Sequence, residues 1–169
     1  MSVPDDGRLI GFHLGQVGAA LPLGIVREVT ERPRVVRVPG AHPFVSGVAL
    51  RGGVAVPVYD LGRFESLWSG GEHPGPLGRM ADADRLIVCD WGEIALGLLG
   101  GRVDLVEDGG EEGEERRCGM SGNFVKRVLR VRGETIALLD PDRLFASLGV
   151  PAAEPRGRKE AGEDDPAGG

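Results

Sequence analysis

The chain has 169 residues, a length that suits one domain or two small lobes sharing one core. Its 20 basic and 26 acidic side chains leave a net charge of −6, which argues against a nucleic-acid binder and its basic face. Glycine is over-used, at 29 residues, and glycines set between short apolar runs predict many turns and hence many short strands.

Residues 1–7 are polar, with neither the basic start nor the apolar run of a secretory leader, and are expected to be disordered. Ile10, Phe12 and Leu14 alternate with Gly11 and His13, a period of two that predicts a strand. Gly15 and Gly18 mark the turn after it. Residues 20–29 form a second apolar stretch containing Pro22, which has no N–H to donate, so this strand is expected at an edge or broken there. Val35, Val36 and Val38 predict a strand running into a loop at Pro39. Residues 44–50 lead to Gly52-Gly53, and a further strand follows at 54–59, ended by Asp60.

Residues 66–83, rich in Gly and Pro, predict a loop. The runs 85–90 and 94–99 flank Trp91-Gly92-Glu93 and predict a hairpin. Residues 103–106 are a separate short run, and the acidic, glycine-rich stretch 107–115 predicts a solvated loop. Residues 124–131 alternate loosely, Gly133 turns the chain into an apolar run at 135–139, and 144–148 carries a helical period. The charged segment 150–169 is expected to be a disordered tail. No apolar run approaches the roughly 20 residues that span a bilayer, so membrane contact is expected only through a partner. Cys89 and Cys118 are expected as free thiols in a reducing cytosol.

An internal repeat stands out. Residues 53–64 read Gly, a six-residue strand, Asp60, two residues, Arg63 and Phe64, and residues 133–144 read Gly, a six-residue strand, Asp140, two residues, Arg143 and Leu144. In each copy glycine supplies a turn, the strand buries one or both faces, and Asp caps the helical turn that follows. Pro141 suits the first helical position, where its missing N–H costs little. Two copies of one unit predict two similar lobes.

Catalytic chemistry is not signalled. His13, His42 and His73 lie in a strand, a Pro-rich turn and a loop, none at metal-ligand spacing with a cysteine or acid. The acidic pairs Asp82/Asp84 and Glu111/Glu112 read as solvated charge, and Asp60 and Asp140 are explained as caps. No phosphate loop, zinc-protease helix or nucleophile elbow occurs. What remains is the inventory of a binding module without metal or cofactor.

The order of motifs resembles the CheW-like family. Phe12-His13-Leu14-Gly15 is similar to the family's opening strand, and Val26-Arg27-Glu28-Val29 to its "V-x-E-[IV]" segment. Val38-Pro39 followed by Pro43-Phe44-Val45-Ser46-Gly47-Val48 resembles a second motif. Residues 54–61, Val-Ala-Val-Pro-Val-Tyr-Asp-Leu, match "V-x-[VI]-P-[VI]-x-D-L", the most specific piece. The resemblance covers nearly all of 8–149. It implies an all-β fold with short helices, built as two intertwined five-stranded, SH3-like barrel lobes around a shared hydrophobic core. It also implies a cytoplasmic, non-catalytic adaptor that binds the regulatory domain of a CheA-type histidine kinase and the tip of a chemoreceptor. The alternative is an adaptor of another histidine-kinase pathway that no longer binds a standard chemoreceptor. Carried over residue by residue, the implied partner-binding positions are Val26, Glu28, Val29, Gly47 and Arg51.

Three positions depart from the family pattern. Gly52 stands where the family has the arginine that contributes to receptor contact, with Arg51 one residue early. Gly100-Gly101 replace an apolar residue and Asp, and Arg127 replaces a glycine.

Overall fold

The computed structural model describes residues 6–63, 83–109, 111–112 and 122–151. Most of the loop expected at 66–83, Cys118, and the tail from residue 152 onward lie outside the described residues.

The chain builds one lobe, leaves it for a second, and returns. Strands β1 (Arg8–Leu14) and β2 (Val17–Pro22) form a hairpin, and Pro22 ends β2. A 3-10 turn at Leu23–Ile25 carries the chain into β3 (Val26–Glu31). The second lobe is completed by the hairpin β4 (Val45–Arg51) and β5 (Val54–Tyr59), by β6 (Arg85–Trp91), and by the first half of β7 (Ile94–Glu107). Its strand order is β3-β6-β7-β5-β4, with β5 parallel to β7. After β3 the chain returns to β4 at Val36, which exchanges two backbone hydrogen bonds of 2.9 and 2.8 Å with Val48. Of the strand expected at 35–38, this single bridge is what forms.

The second half of β7 belongs to the first lobe, where it pairs with β1. The two runs expected as separate strands at 94–99 and 103–106 are therefore one strand of 14 residues. A bulge lets it serve both lobes: Gly101 faces His13 and Asp104 faces Gly11, so Arg102 and Val103 together oppose Phe12. Beyond it, β8 (Glu111–Glu112) pairs with β9 (Val125–Val131), where a loop was expected. β10 (Glu134–Leu139) lies between β9 and β2 and is parallel to β2. Helix α1 (Pro141–Ser147) follows β10 and is the last described element. Asp108 draws the end of β7 towards β9 through an ion pair with Arg127 and donates its N–H to the Gly7 carbonyl at 2.6 Å.

The repeat is structural. β4–β5 turns at Gly52 and Gly53 (φ +55° and +78°), and β9–β10 turns at Arg132 and Gly133 (φ +50° and +83°). Both are two-residue turns with two positive φ angles, whose twist matches that of the strands they join. Each pair shifts register near its far end, between Val45 and Gly47 against β5 and between Leu138 and Leu139 against β9. Each strand then ends on a capping aspartate. Asp60 Oδ1 accepts from the N–H of Gly62 at 3.0 Å, and Asp140 Oδ1 accepts from that of Arg143 at 3.2 Å.

Alternation sorts side chains between two interiors. On β1, Leu9 faces a small core inside the first lobe, while Phe12 and Leu14 face the main core. On β10, Ile136 and Leu138 take the first direction, Ala137 and Leu139 the second. These strands are thus buried on both faces, as a wall between lobe interior and shared core. The main core also holds Leu86, Val88, Leu98 and the edge-to-face pair Trp91–Phe145, with ring centroids 4.9 Å apart. Val150, placed in the tail on composition, is buried in this core as well.

Candidate partner-binding site

Three of the five implied partner residues, Glu28, Val29 and Arg51, lie at one rim of the second lobe. β3 presents Val26 and Glu28 on its more covered face and Val29 on its outer face. The pleat of β4 turns Arg51 to the same side as buried Ala49, and its guanidinium reaches Glu28. The contact is bidentate: Arg51 Nε donates to Glu28 Oε1 at 3.1 Å, and Nη2 to Oε2 at 3.0 Å. Two parallel charge-assisted bonds fix the relative position of β3 and β4, which do not pair through their backbones. The Arg51 hydrogen bonds hold the Glu28 carboxyl below the usual carboxylate range, and Glu28 in turn raises Arg51.

The strands that carry this pair also expose apolar side chains. Val29 is 38% exposed, Leu50 71% and Val54 56%. Leu50 and Val54 are exposed residues of these strands that the motif reading did not name. Their signal was present in the strand period: Leu50 lies one residue off the inward set of Gly47, Ala49 and Arg51, so the pleat points it outward. Val54, opposite Arg51 at the hairpin end, continues the inward face of Val56 and Val58 beyond the core. Arg27, at the β3 bulge, forms a second ion pair with Asp90 beside the rim.

Val26 and Gly47 play other parts. Val26 is half-buried and packs against the main core. Gly47 is buried, with φ +153°, and a Cβ there would stand 2.3 Å from the Val36 carbonyl oxygen. Its lack of a side chain is what lets the returning chain at Val36 lie across β4. Any influence of Gly47 on a partner therefore passes through that segment.

Arg51 is the last residue of β4, and the next position, Gly52, is a turn residue with φ +55° that favours glycine. Gly100 is a close-approach site, 3.0 Å from the Phe12 ring for an added Cβ. Arg127 is drawn to Asp108 at the edge of the first lobe, away from the rim.

Among the described residues no group of three or more His, Cys, Asp or Glu stands where it could hold a metal ion. No described helix is long and apolar enough to cross a membrane. Cys89 is fully buried on β6, and burial, reinforced by neighbouring Asp90, pushes its thiol up to about 12. It holds almost no thiolate at neutral pH and is poorly suited to be a nucleophile.

The rim thus offers shape, charge and apolar surface. No curated protein sequence matches the chain. Among solved structures it is similar to the scaffolding protein TtCheW from Thermoanaerobacter tengcongensis, with a TM-score of 0.60 and 18% identity over 79% of this chain and 88% of that one. At that identity the likeness speaks for the fold. The CheW-like domain family matches residues 8–149, nearly the whole described chain. With its two intertwined lobes and shared core, the chain belongs to the CheW-like family.

Proposed function

We propose that this protein is a cytoplasmic, non-catalytic adaptor that joins a CheA-type histidine kinase to a chemoreceptor tip. The observation that carries the kinase half is the rim of the second lobe. There a fixed Glu28–Arg51 pair ties two strands whose other faces expose Val29 and Leu50, with Val54 exposed at the hairpin end. Partner surfaces of this kind bury roughly 800 Å² a side, with an apolar centre that supplies most of the energy and charges that set orientation.

One observation favours a second reading, in which the protein still binds the kinase but does not bind the receptor. The guanidinium of Arg51 is committed to Glu28, and Gly52 has no side chain to offer in its place. An adaptor so built serves a histidine-kinase pathway other than chemotaxis.

Co-sedimentation with the cognate kinase regulatory domain, with and without a receptor-tip fragment, tests both readings. Wild type is expected to bind the kinase domain at tens of micromolar or tighter. Leu50→Asp, which changes an exposed side chain only, is expected to weaken that binding by at least about tenfold, the scale of an interface anchor. No binding by wild type would sink the adaptor reading. Kinase binding without recruitment of the receptor fragment would select the second reading.

A further inference from the structure

The first lobe carries a recess that the adaptor reading does not use. It measures about 280 Å³ and opens at one end of the lobe's interior. Its floor is apolar, formed by Val106, Val131 and Ile136, with Gly11 leaving room beside them. Its rim is charged, and the charges are not all satisfied within the protein. Glu134 is held from two sides, by His13 Nε2 at 3.0 Å and by Arg102 Nη2 at 3.4 Å. These contacts keep its carboxyl below the usual range. Arg132 and Asp104 also line the recess, and neither has an ion-pair or hydrogen-bond partner among the described side chains. One free cation and one free anion therefore face a single apolar hollow.

The backbone singles out the same place. Arg102 and Arg132 are the two non-glycine residues with positive φ among those described, at +43° and +50°. Arg102 occupies the bulge of β7, and Arg132 the first position of a turn that usually takes Asn, Asp or Gly. Both slots suit glycine, and both hold an arginine bordering the recess. Strained residues of this kind collect at ligand sites, where the surrounding structure holds them.

We propose that this recess binds a small zwitterion with an apolar side chain, an aliphatic α-amino acid. Its carboxylate would meet Arg132, its ammonium Asp104, and its side chain the Val106, Val131 and Ile136 floor. Arg102 acts as a positioning residue that, with His13, holds Glu134 out of competition for Arg132. A monocarboxylate would engage Arg132 alone and an amine Asp104 alone, so each would bind more weakly than the zwitterion.

Titration of the full chain, labelled for amide NMR, with L-leucine, isovalerate and isoamylamine tests this. Leucine is expected to give saturable shifts at Gly11, Val106 and Arg132, with each singly charged analogue weaker by about tenfold, the scale of one missing charge-assisted interaction. Arg132→Gln and Asp104→Asn, both at exposed positions, should each weaken leucine by a similar factor with the melting temperature unchanged. Val131→Phe, which fills the recess and leaves both charges in place, should abolish the shifts. Absence of saturation at tens of millimolar leucine would overturn the proposal. So would equal binding of isovalerate, or retention of leucine binding by the Val131→Phe variant.

Discussion

Glu28 shows how one side chain can tie two strands that do not pair through their backbones. Its carboxylate ties β3 to β4 through Arg51, while exposed Val29 sits next to it on the opposite face. Because its pKa is lowered in the folded state, the stabilisation is present above 4.5, its ordinary value, and is lost as pH falls through the lower folded value. Both partners are open to solvent, so the effect is modest and salt-sensitive. Urea unfolding of wild type and Glu28→Gln is expected to show wild type more stable at pH 7, with the gap closing below pH 4.5. A gap unchanged down to pH 3 would remove the ion pair as its cause. The identity of this residue was readable from the Val26–Val29 motif, but its partner was not. Arg51 is 23 residues away, and β3 and β4 lie at opposite ends of the sheet order of their lobe.

At the scale of elements, the hairpin–cap unit is the repeating part. Its turn, strand and cap are local properties, set by glycine conformational freedom, alternation and the four free N–H groups of a helix start. Each was legible in the residues 53–64 and 133–144. Asp140→Ala removes the side-chain acceptor from the Arg143 N–H and is expected to cost about 1 kcal/mol in chemical denaturation. Asp140→Asn, which keeps an acceptor, should recover most of it. Equal losses in the two variants would mean that charge, and not capping, is at stake. What local rules missed was β7. The runs 94–99 and 103–106 read as separate strands, yet the chain continues as one strand because each half finds a different partner, β5 and β6 before the bulge and β1 after it.

On the scale of the whole molecule, the shared core couples the lobes. Trp91 comes from the second lobe and Phe145 from the helix that follows the first, and their rings meet edge to face. Both are essentially inaccessible to water. Phe145→Ala is expected to destabilise the protein by about 3–5 kcal/mol, the usual cost of removing a buried aromatic ring. It should do so in one cooperative transition followed by Trp fluorescence and by circular dichroism together. Separate transitions by the two probes would show that the lobes unfold independently. Lobes without such a shared core would move independently.

The sequence alone determined the strand-rich class, the two-fold repeat, the caps and the positions of the family motifs. All of these follow from short-range periodicity and from the conformational limits of Gly, Pro and Asp. Only the tertiary structure decided which residues form a surface. It joined Glu28 to Arg51, exposed Leu50 and Val54, covered Gly47 with Val36, and left Arg132 and Asp104 around one hollow. Those outcomes depend on strand order and on which face of each pleat meets which core. In an intertwined fold, these are set by pairings between segments far apart in the chain, which no local pattern records.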